Sequence, residues 1–227
     1  MEHSVAQILR SPRARRIVDQ AARALEDEAT RRQEFLDWVS PSDKAEFING
    51  EVIVHSPARA SHNRVSLRLT RLLADYVDEH DLGLVGIEKW MVSLTRNDYE
   101  PDVCFWRSEV ADTFESDQMR FPAPDLVCEV LSPSTRGNDL GVKLDDYGAH
   151  GVMEYWVLDP VDETVRQFVQ ADGLEDGPAL ENADLEDGRL ELVTLSSTGE
   201  VQSRAVPGLV LPVAAFFSDQ AFRAARA

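Results

Sequence analysis

Pro101-Asp102 at the head of one apolar segment, Glu129 inside a second, and Lys143 in the helix-like stretch that follows are the residues best suited to chemistry in this chain. Two carboxylates hold a hard divalent cation, and a lysine steadies an attacking water or a developing negative charge. Together they form the minimum kit for metal-assisted hydrolysis of a phosphodiester. Magnesium fits this set best, with manganese as its substitute, because the donors are oxygens and no Cys/His cluster occurs.

Each of these residues also has a plainer reading. Asp102 enters the segment Asp102-Val103-Cys104-Phe105-Trp106, where an acid after proline is ordinarily solvated. Glu129 carries more weight. The run Leu126-Val127-Cys128-Glu129-Val130-Leu131 is apolar on both sides of one carboxylate. An uncompensated buried carboxylate is costly, so it requires a metal or an ion-pair partner. Strand alternation places Leu131 on its face and Cys128 on the other. Lys143 falls within the stripe Leu140, Leu144 and Tyr147 rather than opposite it. The chain has only three lysines, Lys44, Lys89 and Lys143, so one on an inward face answers a need for a compact ammonium. Its plainer role is a pair with Asp139, four residues earlier. Glu46 and His62 are candidates for the same pocket, against the alternatives of a surface strand acid and a satisfied core histidine.

The elements that must position these residues follow from periodicity. Residues 1–29 read as a helical extension, with Ile17, Ala21, Ala24 and Leu25 at helical spacing. Thr30 and Gln33 fit a capping box that opens a second, short helix carrying Phe35, Leu36, Trp38 and Val39 and ending at Ser40-Pro41-Ser42-Asp43. Asn49-Gly50, between residues 46–48 and 51–54, is a strong hairpin signal. A long helix over 60–79 turns Val65, Leu69, Leu72, Leu73 and Tyr76 inward, and His62 extends that face. Strands are expected at 83–88, 90–94, 101–106 and 125–131, a helix at 139–149, and a strand at 154–158 ending at Asp159-Pro160. Further strands fit 164–169, 190–195 and 200–206, and the tail 213–227 reads as helical. The Gly-, Asp- and Glu-rich segment 171–188 reads as a solvated hairpin loop. The order of elements predicts an α/β chain, a central mixed sheet with helices on its faces. The division is an extension, 1–29, and one domain, 30–227.

At 227 residues, 43% apolar, the chain can bury a proper core. Its formal net charge of −18 repels nucleic acid on average. The charge is uneven: Arg10, Arg13, Arg15, Arg16 and Arg23 crowd the N-terminus, while acids from Asp172 to Glu191 crowd the late loop. The arginines read first as a solvated helix face. Cys104 and Cys128 sit in buried strand segments without a CxxC, so they read as small hydrophobes rather than zinc ligands. No apolar run approaches the roughly 20 residues of a membrane helix, and Met1-Glu2-His3-Ser4 lacks a signal core, so a cytoplasmic protein is expected.

Several segments in one chain resemble the Uma-two family of restriction-endonuclease-like proteins. They are Glu46-Phe47-Ile48-Asn49-Gly50-Glu51-Val52, His62, Pro101-Asp102-Val103, and Pro124 through Glu129 to Thr135. Lys143, Tyr147 and Gly151 through Glu154-Tyr155-Trp156 to Pro160 belong to the same set. The resemblance covers roughly residues 30–215 and leaves residues 1–29 outside. It implies the PD-(D/E)XK nuclease fold, with Asp102 and Glu129 as metal ligands and the Val130 carbonyl completing the shell. The superfamily's usual lysine position, two residues after the glutamate, is Leu131 here, so the resemblance assigns that role to Lys143. Glu46 and His62 match further polar positions, for a metal water or a proton transfer. Ser132-Pro133-Ser134-Thr135 and Gly151 would shape turns, Glu154, Tyr155 and Trp156 read equally as packing and strand-end residues or as site residues, and Tyr147, within reach of the lysine, reads first as core packing. The function so implied is a magnesium-dependent endonuclease acting on DNA through local contact. Its alternatives are a metal-dependent hydrolase of another substrate and a non-catalytic interaction module with a relic site. A homodimer through the N-terminal helices is the assembly expected of that module.

Overall fold

The computed structural model describes residues 3–171 and 188–226, so the expected loop over 171–188 lies, but for its end residues, outside the described residues. The chain begins with α1 (His3–Arg10), α2 (Ala14–Trp38), β1 (Ala45–Ile48), β2 (Glu51–Val54) and α3 (Ala60–Glu79). Then come β3 (Gly83–Ile87), β4 (Met91–Ser93), β5 (Asp98–Tyr99), β6 (Val103–Arg107), α4 (Ser108–Ala111), β7 (Arg120–Phe121) and β8 (Leu126–Val130). After α5 (Arg136–Asp139) and α6 (Val142–Ala149) follow β9 (Glu154–Asp159), β10 (Thr164–Gln170), β11 (Leu190–Ser196), β12 (Glu200–Gln202) and β13 (Val210–Pro212). Helices α7 (Ala214–Phe217) and α8 (Asp219–Ala224) end the described chain. Two compact units emerge, one made of the chain to His55 with Thr95–Tyr99, the other of Ser56–Leu94 and the chain from Glu100 on.

In the first unit α2 runs unbroken through Thr30, so the second helix start expected there is absent. The Thr30 hydroxyl donates back to the Glu26 carbonyl at 3.1 Å, and Gln33 donates to Asp37 at 2.7 Å, so neither caps. The break falls earlier, at Ser11-Pro12, where the Ser11 hydroxyl accepts the Arg13 N–H at 3.1 Å. Arg10, Arg13, Arg15, Arg16 and Arg23 are exposed, as a solvated face requires. Further along, Arg96 grips Glu28 at 2.9 and 2.8 Å, and Arg32 grips Asp98 at 2.6 and 2.9 Å. These forked pairs fasten residues 95–99 to the helix, and Arg96 holds the Glu28 carboxyl below its ordinary range. The hairpin forms as expected, with Asn49 at φ 50° and Gly50 at φ 86° giving the positive torsions its two-residue turn demands.

In the second unit six strands lie in the order β11-β10-β9-β8-β6-β3. Only the β8–β9 pair is parallel in this sheet, because α5 and α6 carry the chain across between them. The sheet is therefore mixed, as the sequence predicts. Leu126, Cys128 and Val130 face the main apolar core with Val65, Leu69, Leu72 and Leu73 of α3 and Phe216 of α7. Alternation turns Val127 and Glu129 to the opposite face. A second aromatic cluster joins Trp106 to Trp90, Phe114 and Phe121 at centroid distances of 5.6, 5.4 and 5.6 Å.

Three element boundaries differ from expectation. The helix expected over 139–149 is two helices meeting at Leu140-Gly141. The strand expected over 200–206 stops at Gln202, since the next residues turn toward Glu154. The C-terminal helix breaks at Ser218, whose hydroxyl accepts the Ala221 N–H at 3.4 Å. Among the described residues no helix is long and apolar enough to cross a membrane.

Glu154 is fully buried, and five donors meet its two oxygens. Trp156 Nε1 and Gln167 Nε2 each reach Oε1 at 2.6 Å. The Ser203 hydroxyl reaches Oε2 at 2.6 Å, and the Arg204 and Ala205 N–H groups reach it at 2.9 Å each. The carboxylate thus ties β9, β10 and the chain after β12 into one body. Glu154→Gln puts an NH2 against two or more of those donors, and urea unfolding is expected to show a loss of about 3 kcal/mol. An unchanged midpoint would mean that these bonds do not hold the unit together.

Asp159 ends β9 and accepts from Arg136 at 2.8 Å and from the Val161 and Asp162 N–H groups at 3.0 and 3.3 Å. Burial pushes its pKa up, but these bonds outweigh burial and hold it below the ordinary value. Its stabilisation is therefore present above the unfolded-state pKa of about 3.9 and is lost as pH falls through the lower folded value. Arg136→Met should shrink that acid-side loss in unfolding curves taken between about pH 2 and 6.

Candidate functional site

Two adjacent strands bring Asp102 and Glu129 together. β6 and β8 are antiparallel with Val103 opposite Cys128, so Asp102, just before β6, comes opposite Glu129. The bonds are reciprocal. The Val130 N–H donates to Asp102 Oδ2 at 2.8 Å, and the Asp102 N–H donates to Glu129 Oε2 at 3.3 Å. Each carboxylate thus accepts a main-chain N–H from the other's side of the strand pair. Both are buried, at 6% and 4% exposure. His62, in the first turn of α3, places Nε2 3.1 Å from Asp102 Oδ2.

Lys143 arrives from the crossover. Ser132 begins a tight turn, its hydroxyl 2.9 Å from Thr135 Oγ1 and accepting the Thr135 N–H at 3.2 Å. This turn launches α5, and α6 follows after Gly141. Lys143 is 2% exposed and its Nζ lies 2.8 Å from Glu129 Oε1 and 3.4 Å from Asp139 Oδ1. The plainer sequence reading, a pair with Asp139, is present, and the same ammonium also meets Glu129. Asp139 is itself fixed where the Tyr155 hydroxyl donates to its carbonyl at 3.0 Å. Tyr147 packs edge-on against Tyr155 at 5.3 Å, in keeping with a packing role.

Glu46 belongs to the first unit, where His55 Nε2 lies 3.2 Å from its carboxylate. The sequence reading missed His55, although the Asn49-Gly50 turn fixes a register that brings residue 55 beside Lys44 and so diagonal to Glu46. Glu154, which the sequence leaves open between packing and the site, is a buried anchor of the fold. Gly151 takes φ 78° in the turn before β9. Cys104 and Cys128 are free and buried, and burial, reinforced by nearby carboxylates, pushes both thiols well above their ordinary pKa. Both sit in the core as small apolar groups.

Asp102, Glu129 and Asp139 against Lys143 leave a formal excess of negative charge. Among the described residues no group of three or more His, Cys, Asp or Glu side chains is arranged to hold a metal. A pair of hard carboxylates suits magnesium, which is bound through one or two carboxylates and keeps its other positions for water and phosphate.

A family model described as Uma2, "Putative restriction endonuclease", matches residues 32–214. An uncharacterized protein of Synechocystis sp. is 31% identical over 121 residues, 52% of this chain and 67% of that protein. A second uncharacterized Synechocystis protein is 29% identical over 129 residues, 56% of this chain and 66% of its own length. The chain thus spans about two thirds of the length of these curated relatives. The crystal structure of a putative nuclease belonging to DUF820 from Anabaena variabilis superposes with a TM-score of 0.65 at 17% identity, covering 82% of this chain and 96% of that one. The likeness shows that the two chains share a fold.

Lys143→Met would leave Glu129 and Asp139 buried without their shared ammonium, and a loss of about 3–5 kcal/mol is expected in urea unfolding. Adding Glu129→Gln should recover part of that loss, giving clear non-additivity in the double-mutant cycle. A single-variant loss below about 1 kcal/mol would sink the coupling.

Proposed function

The chain belongs to the Uma2 family, and on that footing we propose that it is a divalent-metal-dependent endonuclease hydrolysing phosphodiester bonds of DNA in the cytoplasm. One observation carries the reading: two buried carboxylates face each other at the edge of paired strands, with a buried ammonium 2.8 Å from one of them. The carboxylates of Asp102 and Glu129 and the main-chain carbonyl of Val130 would hold magnesium or manganese. Bound there, the ion supplies Lewis-acid polarisation of a phosphate oxygen and an acidified water.

The chain's own groups do the rest. Lys143 orients the attacking water and offsets charge on the phosphorane-like transition state. His62, aligned by Asp102 at 3.1 Å, accepts the proton that the water gives up. Asp139, its Oδ1 3.4 Å from Lys143 Nζ, helps to hold the ammonium in place. Glu46, paired with His55 in the first unit, takes no step in this scheme. With a net charge of −18 the contact with DNA is local, confined to the few base or phosphate groups nearest the site. That same charge favours a second reading, a non-catalytic interaction module of this fold.

Calorimetry with magnesium and manganese, run beside a plasmid-nicking assay, separates the two. Wild type is expected to bind the ion and nick, while Asp102→Asn loses binding and slows nicking by about a hundredfold or more. His62→Ala should keep ion binding while losing rate and flattening the pH–rate profile. Folded wild type that binds no ion at concentrations on the order of millimolar, and cuts nothing, would hand the fold to the second reading.

A further inference from the structure

The first half of α2 carries an apolar stripe that lies in solvent. Ile17, Val18 and Leu25 are 38%, 52% and 48% exposed, and Ala21 and Ala24 are exposed between them. At 100° per residue these five fall within about 120° of arc. The same stripe, continued toward the C-terminus, is the one that presents Glu28, Arg32 and Phe35 to Arg96, Asp98 and Phe47. The helix is therefore anchored at one end and overhangs with an apolar face at the other. Isolated helices of this length are marginal in water, so the anchored half keeps the overhang helical.

The charges beside the stripe are sorted along its axis. Arg13 and Asp27 border one flank, Arg15 and Glu26 the other, so both flanks are basic near the N-terminus and acidic further on. Two parallel copies would set arginine against arginine and acid against acid. Two antiparallel copies crossing near Gln20-Ala21 set Arg13 against Asp27 and Arg15 against Glu26. The same crossing sets Ile17 against Leu25, with the small Ala21 at the point of closest approach.

We propose that this stripe is an antiparallel helix-pairing surface that joins two copies of the chain about a two-fold axis near Ala21. The surface precedes the residues that match the family model, 32–214, and does not rest on the nuclease reading. Every contact across it is made twice, as a two-fold interface requires. A helix pair about 18 Å long buries less than the roughly 1,200 Å² of a standard interface. The dimer therefore exchanges with monomer in the micromolar range.

Sedimentation velocity on the full chain, up to about 100 micromolar, tests this. Wild type is expected to shift from monomer to dimer with concentration. Val18→Glu with Leu25→Glu should stay monomeric with an unchanged far-ultraviolet circular dichroism spectrum. Arg15→Glu should weaken the dimer about tenfold, and adding Glu26→Arg should restore it, because the pair recurs on both sides of the axis. Under mild oxidation Ala21→Cys should cross-link and Ala14→Cys should not, since residue 14 of one copy lies far from residue 14 of the other. Wild type that stays monomeric, a dimer indifferent to the Val18 and Leu25 substitutions, or Ala14→Cys cross-linking as fast as Ala21→Cys would each overturn the proposal.

Discussion

A carboxylate inside an apolar sheet must recover, from protein groups, the hydration it gives up. This chain buries two such groups on neighbouring strands and meets the constraint in two ways. Glu154, on the α3 face of the sheet, is met by five uncharged donors whose positions the fold fixes. Glu129, on the opposite face, accepts from a main-chain N–H and meets the buried ammonium of Lys143. The first arrangement leaves the oxygens nothing further to bind. The second sets the carboxylate against a buried charge as well as a main-chain donor. Glu154 is met by neutral donors alone, whereas Glu129 shares its site with an ammonium.

Around Glu129 the constraint propagates. The lysine must itself be buried, so it needs a second acid, and Asp139 supplies it one helical turn away. Asp139 needs a fixed backbone, which the break at Leu140-Gly141 and the bond from Tyr155 give. Asp102 needs a counter-group, and both the Val130 N–H and His62 serve. The parallel step between β8 and β9 exists to carry α5 and α6 over this face. Much of the second unit's connectivity is thus a means of holding charge in a dry place.

What the sequence made legible follows from the range of the interactions involved. Asn49-Gly50 specifies its hairpin from two residues, and the 3.6-residue stripe from Val65 to Leu73 specifies α3 to its ends. Glu129 stands out because an acid in an apolar run is locally anomalous, and Lys143 because it is one of three lysines and falls within an apolar stripe. Local signals failed where distant groups decide. Thr30 and Gln33 look like a cap, yet helix propensity on both sides keeps α2 continuous and turns the hydroxyl inward to Glu26. β5 and β7 are two residues each, too short for any period to register. The role of Glu154 was hidden because its donors lie at residues 167 and 203–205.

The two thiols add a property of a different kind. Cys104 lies on the strand that Asp102 precedes, and Cys128 is the neighbour of Glu129. Both are sealed from solvent and protonated. An alkylating reagent can reach them only when the central strands part, and reclosure resets the clock. The accumulated label on each sulfur therefore counts native-state excursions strand by strand, turning two inert core residues into a stopwatch for the very strands that frame the carboxylates.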